Sequence, residues 1–195
     1  MGPVSIAALK PLAPPATPFI KVIGILIALW CAAFAVITIW FESSDYFAQG
    51  PHAADAAALS VVNWYVVAVK VLGIAVALLA IRQPRSARTA TLVGMTLWAA
   101  FATIGIYVVG SLVQIITMLV GIMGDPSKLT LGSVGYVLAF SAAGTGFGIL
   151  AVSYKRRTSL RTFAVVLGIL GAPLMLGSIL VFLPALLRMA GLLSS

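Results

Sequence analysis

The chain has 195 residues, 62% of them hydrophobic and 8% charged. An ordinary soluble domain is roughly 45–50% apolar, so this composition excludes a water-soluble globular protein and points to lipid as the solvent. The formal net charge of +8 would point to nucleic acid in a soluble chain, but here the cations fall in short segments between apolar runs. Contact with anionic lipid headgroups is a sufficient reading of them, and no nucleic-acid partner is expected.

A bilayer core about 30 Å thick needs about 20 apolar residues per helix. Five stretches reach that length, at about 19–41, 61–81, 90–122, 131–154 and 162–187. They are continuously apolar rather than alternating, which excludes the strand pattern of a transmembrane barrel. The expected fold is all-α: a polytopic integral membrane protein with a single bundle of about five transmembrane helices over residues 19–195.

Residues 1–18 hold Pro3, Pro11, Pro14, Pro15 and Pro18. Proline fixes φ and removes a backbone donor, so this stretch reads as an extended tail. Lys10 and Lys21 precede an apolar run in which Ala33-Phe34-Ala35 has the small-x-small form of a signal cleavage site. The run continues through Trp40, however, and its length suits a retained span. Met-Gly matches only part of the myristoylation pattern, because position 6 is Ile.

Trp40-Phe41 ends the first run and Trp64-Tyr65 opens the second, as an aromatic belt at one interface would. Gly50-Pro51 between them marks a turn. Asp55 before AAALSVV reads as the N-cap of a helix that begins outside the bilayer. The third run exceeds what a perpendicular span needs and must tilt, bend or protrude, with Gly105 and Gly110-Ser111 the expected places for a bend. Pro173 and Pro184 predict a kinked fifth helix.

Lysine and arginine near helix ends are retained on the cytoplasmic side. With five spans, Lys10, Lys21, Arg82, Arg85, Arg88, Lys155, Arg156, Arg157 and Arg161 share one side and only Lys128 and Arg188 the other. The expected orientation is N-terminus cytoplasmic and C-terminus outside. Arg82, Arg85, Arg88, Lys155, Arg156, Arg157 and Arg161 are then the expected contacts to cytoplasmic lipid headgroups. The Ala-, Val- and Gly-rich composition, with Arg outnumbering Lys, reads as a bacterial inner-membrane protein.

Lys70 is the one charge inside an apolar run. It lies about eight residues from the outer end of its span, roughly 12 Å deep at the helical rise. A lysine near the centre of a span costs about 2.5–3.5 kcal/mol, and such residues face a bundle interior, a wet cavity or a partner. No Asp or Glu occurs inside any of the five runs. The stem can snorkel toward Glu42, Asp45 or Asp55, the ammonium can meet a group on another molecule, or the amine can sit there neutral. Asn63 shares its helical face, with Val67 between them and Ile74 beyond, so Lys70 and Asn63 are the candidate contacts for a partner or lipid.

Ser141–Gly148, SAAGTGFG, is glycine-rich, but a phosphate-cradling loop follows a strand and opens a helix. Here the glycines lie inside an apolar helix. Gly135, Ala139 and Ala143, and the pair Gly144 and Gly148, put small residues at every fourth position. Such faces let helix backbones approach closely, which makes the fourth helix the expected packing hub. Gly168 with Ala172, and Gly24 with Ala28 and Ala32, give the fifth and first helices similar faces. Single Cys31 lies mid-span and reads as a small buried hydrophobe.

Glu42, Asp45, His52 and Asp55 are metal-ligating types, but their spacing matches no defensible site and reads as a solvated acidic loop. His52 is the only histidine, so a serine–histidine–aspartate constellation or bis-histidine haem ligation has too few residues. Tyr107, Gln114 and Thr117 read as interhelical hydrogen-bond formers. No metal, cofactor or catalytic activity is expected. The residue inventory favours a non-catalytic accessory subunit of a larger membrane complex, of the lipid or cell-envelope transport or respiratory kind, with membrane lipids as further partners. The alternative is a small oligomeric carrier or channel using Lys70 as an anion or proton site, although an odd span count without inverted repeats fits poorly with repeat-built carriers.

Overall fold

A computed structural model describes residues 13–48, 53, 56–122, 124–189 and 191. Residues 1–12 of the expected tail, the Gly50-Pro51 turn, His52 and the Asp55 cap lie outside the described residues. Among the described residues the chain is entirely helical, with no strand. Four helices are long and apolar enough to cross a membrane: α1 (Pro18–Ser43), α2 (Ala56–Ala80), α3 (Ala87–Leu119) and α4 (Leu131–Thr158). The fifth apolar run is built differently. It comprises α5 (Thr162–Gly177), a π-helical stretch Ser178–Phe182 and α6 (Leu183–Met189), so its regular α-helix is only 16 residues long before the bonding pattern widens. Pro184 lies just past the π segment and has no N–H to return to the preceding turn, the setting in which a helix relaxes to wider bonding.

Local signals place the ends. Pro18 starts α1 at the position where a missing N–H costs nothing, with Thr17 Oγ1 accepting from the Ile20 amide. Ser86 caps α3 through the Thr89 amide at 3.1 Å, and Thr130 caps α4 through the Ser133 amide at 3.1 Å. α4 ends at Ser159, whose φ of 50° is left-handed. The Leu160 amide reaches back to the Lys155 carbonyl at 3.2 Å, the Schellman closure of a helix. Leu160 is itself buried and fills the space left by Gly94 of α3. α3 is continuously α-helical through Gly105 and Gly110.

α1 pairs with α2, α3 packs against both α4 and α5, and α4 also meets α1 and α2. The expected hub role of α4 is thus shared: α4 joins the α1–α2 hairpin to the rest, and α3 carries α5. The core lies at the end of the bundle that holds the α4–α5 turn, where Phe147, Leu150 and Tyr154 of α4 pack with Leu97 of α3 and Ala77 and Ala80 of α2. Tyr154 is only 1% exposed although it carries a hydroxyl. At the other end α3 and α4 bury almost nothing: the buried residues of α3 stop at Leu97, and those of α4 begin at Val137.

Small residues do much of the close packing, but not at every expected position. Ala143, Gly144 and Ala172 are buried, Gly144 and Gly148 face Ile104 and Phe101 of α3, and Gly168 lies against the α3 backbone at Met95. Ala139 is half-buried. Gly135 packs on no helix of this chain: it is exposed, and a Cβ there would meet nothing within 4 Å. The period of four continues onto a side of α4 that no other described helix covers at Gly135.

Candidate functional site

Asn63, Val67, Lys70 and Ile74 recur at helical spacing along α2, so one face of that helix carries all four toward α1. Near the end of the bundle where α1 finishes and α2 begins, Glu42 lies in the last turn of α1, and its carboxylate accepts from the Ser60 hydroxyl and from Asn63 Nδ2, the latter at 2.9 Å. Asn63 Nδ2 also donates to the Thr38 carbonyl at 2.9 Å. Asn63 is therefore engaged inside the chain as a clasp between the ends of α1 and α2. Both hydrogens of its Nδ2 are thus used inside the chain, a role the sequence did not indicate.

Lys70, two turns deeper, has a different environment. Its Nζ lies 4.5 Å from the centroid of Trp30, 5.1 Å from that of Phe140 and 5.3 Å from that of Phe34. Trp30 and Phe34 lie one turn apart on α1 with centroids 4.5 Å apart, and both meet Phe140 of α4 edge-on, at 5.0 and 5.4 Å. Three ring faces thus enclose the ammonium where α1, α2 and α4 converge. An aromatic face attracts a cation through its quadrupole, and in a desolvated setting the attraction reaches about 2 kcal/mol or more. No described carboxylate pairs with Lys70.

Snorkelling toward Glu42 is not what Lys70 does. Phe34 and Trp30 lie eight and twelve residues before Glu42 on α1, about 12 and 18 Å along the helix axis, and the ammonium sits at their level. None of the three solutions weighed from the sequence included rings of this chain as the partner. The available signal was the pair Trp30/Phe34 and the pair Tyr136/Phe140, each four apart in the middle of an apolar run rather than at an interface. Tyr136 and Tyr107 extend the cluster from Phe140, at 4.6 and 4.8 Å between centroids. Cys31, adjacent to Trp30, is buried in the core against Gly73.

The basic residues divide into two kinds. Arg82, Arg85, Arg88, Arg156 and Arg161 are exposed and Lys155 is half-exposed, all at the end where α2 and α4 finish and α3 and α5 begin. Arg157 turns inward instead. Its guanidinium donates to the carbonyl of Ala80, the last residue of α2, and to the Pro14 carbonyl at 3.4 Å. It also lies over the Tyr154 ring at 5.6 Å. A helix leaves its last four carbonyls without intrahelical partners, and Arg157 satisfies one of them while holding the segment before α1. Ala13 and Ala16 of that segment are buried, so the part of the tail that is described packs on the bundle. Arg157 is therefore an internal tie, a correction to its expected role at lipid headgroups.

Two clefts accompany these features. One, about 400 Å³, lies between α1 and α4 beside Trp30 and Gly146 and is almost wholly apolar. The other, about 360 Å³, lies between α3 and α4 toward the loop that joins them and has mixed polar and apolar walls. Among the described residues, no three metal-ligating side chains gather.

These observations define an all-helical chain with four helices long and apolar enough to cross a membrane. Comparisons with protein-family models, characterised proteins and solved structures give no match for it.

Proposed function

We propose that this chain is a non-catalytic accessory subunit of a larger membrane assembly, spanning a bacterial inner membrane with its N-terminus cytoplasmic. One observation supports it over the carrier or channel: no charged residue is fully buried among the described residues, and the single mid-span cation is faced by three rings. A translocation path needs convergent polar groups or a wet cavity at membrane depth. Here the enclosed ammonium holds three helices together and leaves no described carboxylate to exchange with.

The orientation rests on the collection of Arg82, Arg85, Arg88, Lys155, Arg156 and Arg161 at one end of the bundle, which is where the positive-inside rule puts cations. The 28 helical residues of α5, the π segment and α6 are long enough for a fifth crossing. A reporter fused after Ser195 that behaves as cytoplasmic would overturn the five-span orientation.

The accessory reading is tested by extracting the protein from native membranes in a mild detergent, sizing it and identifying what co-purifies. Stoichiometric recovery with a larger assembly is the expected result. Recovery as a lone chain or a homo-oligomer sinks it, and ion or solute flux in vesicles that is abolished by Lys70→Met would establish the carrier instead.

A further inference from the structure

Gly168 of α5 lies against Met95 and Trp98 of α3, and a Cβ on Gly171, three residues on, would lie 3.7 Å from that of Ala99. The contact advances in the same direction along both helices, so α3 and α5 run parallel with their N-terminal ends together. Arg88 precedes Met95 by seven residues, and Arg161 precedes Gly168 by seven. Seven residues are close to two helical turns, so each arginine stands on the side of its helix that meets the other. Both are exposed, at the mouth of the α3–α5 seam.

Among the described residues no acid answers this pair. Neither α3 nor α5 has one in its first turn, and Glu42, Asp45 and Asp125 all belong to the opposite end of the bundle. Exposed large apolar side chains stop at the same level. They end at Leu79 on α2 and Val152 on α4 and resume at Leu92 on α3 and Phe163 on α5, with none exposed at 80–91 or 153–162. Four helices thus lose their lipid-facing surface where the arginines stand, which is where phospholipid phosphates lie. An arginine fork matches phosphate oxygens two at a time. Leu92 and Phe163, the latter 71% exposed, lie one turn or less into the bundle from Arg88 and Arg161. A phosphate with acyl chains attached fits both halves of this surface, whereas a soluble anion would use only one.

We propose that Arg88 and Arg161 together grip the phosphate of one anionic phospholipid at the α3–α5 seam, with its acyl chains lying over Leu92 and Phe163. A zwitterionic headgroup brings a cation back to the same place and is held less well. The sequence groups seven cations as headgroup contacts, and the parallel packing of α3 on α5 singles out these two as sharing one phosphate. The site is independent of the accessory-subunit reading, since a lone chain would carry it equally.

The full chain is placed in phosphatidylcholine vesicles with a trace of phosphatidylglycerol, or in parallel of phosphatidylcholine, that carries a photoactivatable group beside the glycerol. The labelled peptides are then mapped. The anionic probe is expected to label residues 88–95 and 160–167 about three-fold or more above the zwitterionic one. Arg88→Gln and Arg161→Gln should each lower that labelling about three-fold or more. The double change should lower it little further, because two forks on one phosphate lose their hold together. Arg156→Gln, an exposed cation away from the seam, should lower it by less than about two-fold. Labelling near Val36, exposed on α1, stays constant and reports that each variant is folded. Equal labelling by the two probes, an Arg156→Gln loss as large as that of Arg88→Gln, or additive losses in the double variant overturns the proposal. Displacement of the anionic probe by inorganic phosphate would also overturn it, by showing a site for free anions.

Discussion

The Nζ of Lys70 on α2 lies 4.5 Å from the centre of the Trp30 ring on α1, with Phe34 and Phe140 closing around it. Burying a lysine near the middle of a span costs about 2.5–3.5 kcal/mol, while a desolvated ring face returns about 2 kcal/mol. The two nearly cancel, so Lys70→Met is expected to change stability by less than about 2 kcal/mol. The informative quantity is the coupling. Trp30→Leu should destabilise the chain by about 1–2 kcal/mol more when position 70 is Lys than when it is Met. Unfolding of the four proteins of this cycle in detergent measures it, and a coupling near zero would show that the rings pack without holding the charge.

The internal position of Arg157 carries a second prediction. Hydrogen bonds from a charged donor contribute about 1.5–3 kcal/mol each, and Arg157 makes them to the Ala80 and Pro14 carbonyls. Arg157→Ala should lower stability by about 2 kcal/mol and expose residues 13–17 to protease. Lysine at this position has one compact ammonium in place of a planar fork, so Arg157→Lys should restore the stability only in part. Arg156→Ala, at an exposed neighbour, should leave both readouts unchanged. Unaltered cleavage in Arg157→Ala would refute the tie.

Much of this arrangement is legible in the sequence, and the gaps have physical causes. Length and apolarity alone give the four long helices, and the spacing of Asn63, Val67, Lys70 and Ile74 gives the face of α2 that meets α1. Helical periodicity does not say which helices become neighbours. Trp30/Phe34 and Tyr136/Phe140 are visible as aromatic pairs, but their meeting around Lys70 depends on α1 and α4 both lying beside α2. The same limit hides Arg157 among three consecutive cations, because only the rotation of α4 decides which one faces Ala80. The small-residue period does not show that Gly135 meets no helix of this chain, because a sequence repeat carries no mark where its partner helix stops following it.

Asp125, in the connection between α3 and α4, accepts from the Ser127 amide at 2.9 Å and caps the short 3-10 turn Pro126–Lys128. The hydrogen bond from that amide, aided by the Ser127 side chain, holds its carboxyl below its ordinary value. A lowered folded-state pKa contributes stability above the unfolded value of about 3.9 and loses it as pH falls through the lower, folded one. The Ser127 amide resonance should therefore titrate with a midpoint below about 3.9, and the transition should vanish in Asp125→Ala. A midpoint at or above that value would mean that the cap does not form.

Gly168 and Gly135 should respond in opposite ways to the same substitution. A Cβ on Gly168 would lie 2.5 Å from the Met95 carbonyl oxygen and 2.8 Å from the Trp98 Cβ. Both atoms are fixed parts of α3 that no side-chain rotation can remove, so α5 would have to slide outward and loosen the contact that attaches it to the bundle. Overpacking of this kind costs about 1–3 kcal/mol. Gly135 has open space around it, and replacing a helical glycine there with alanine gains up to about 1 kcal/mol in helix propensity. Thermal unfolding in detergent should accordingly fall for Gly168→Ala and rise or hold for Gly135→Ala. If both fall, Gly135 has a neighbour in the assembled protein, and the exposed end of α4 is the place to look for it.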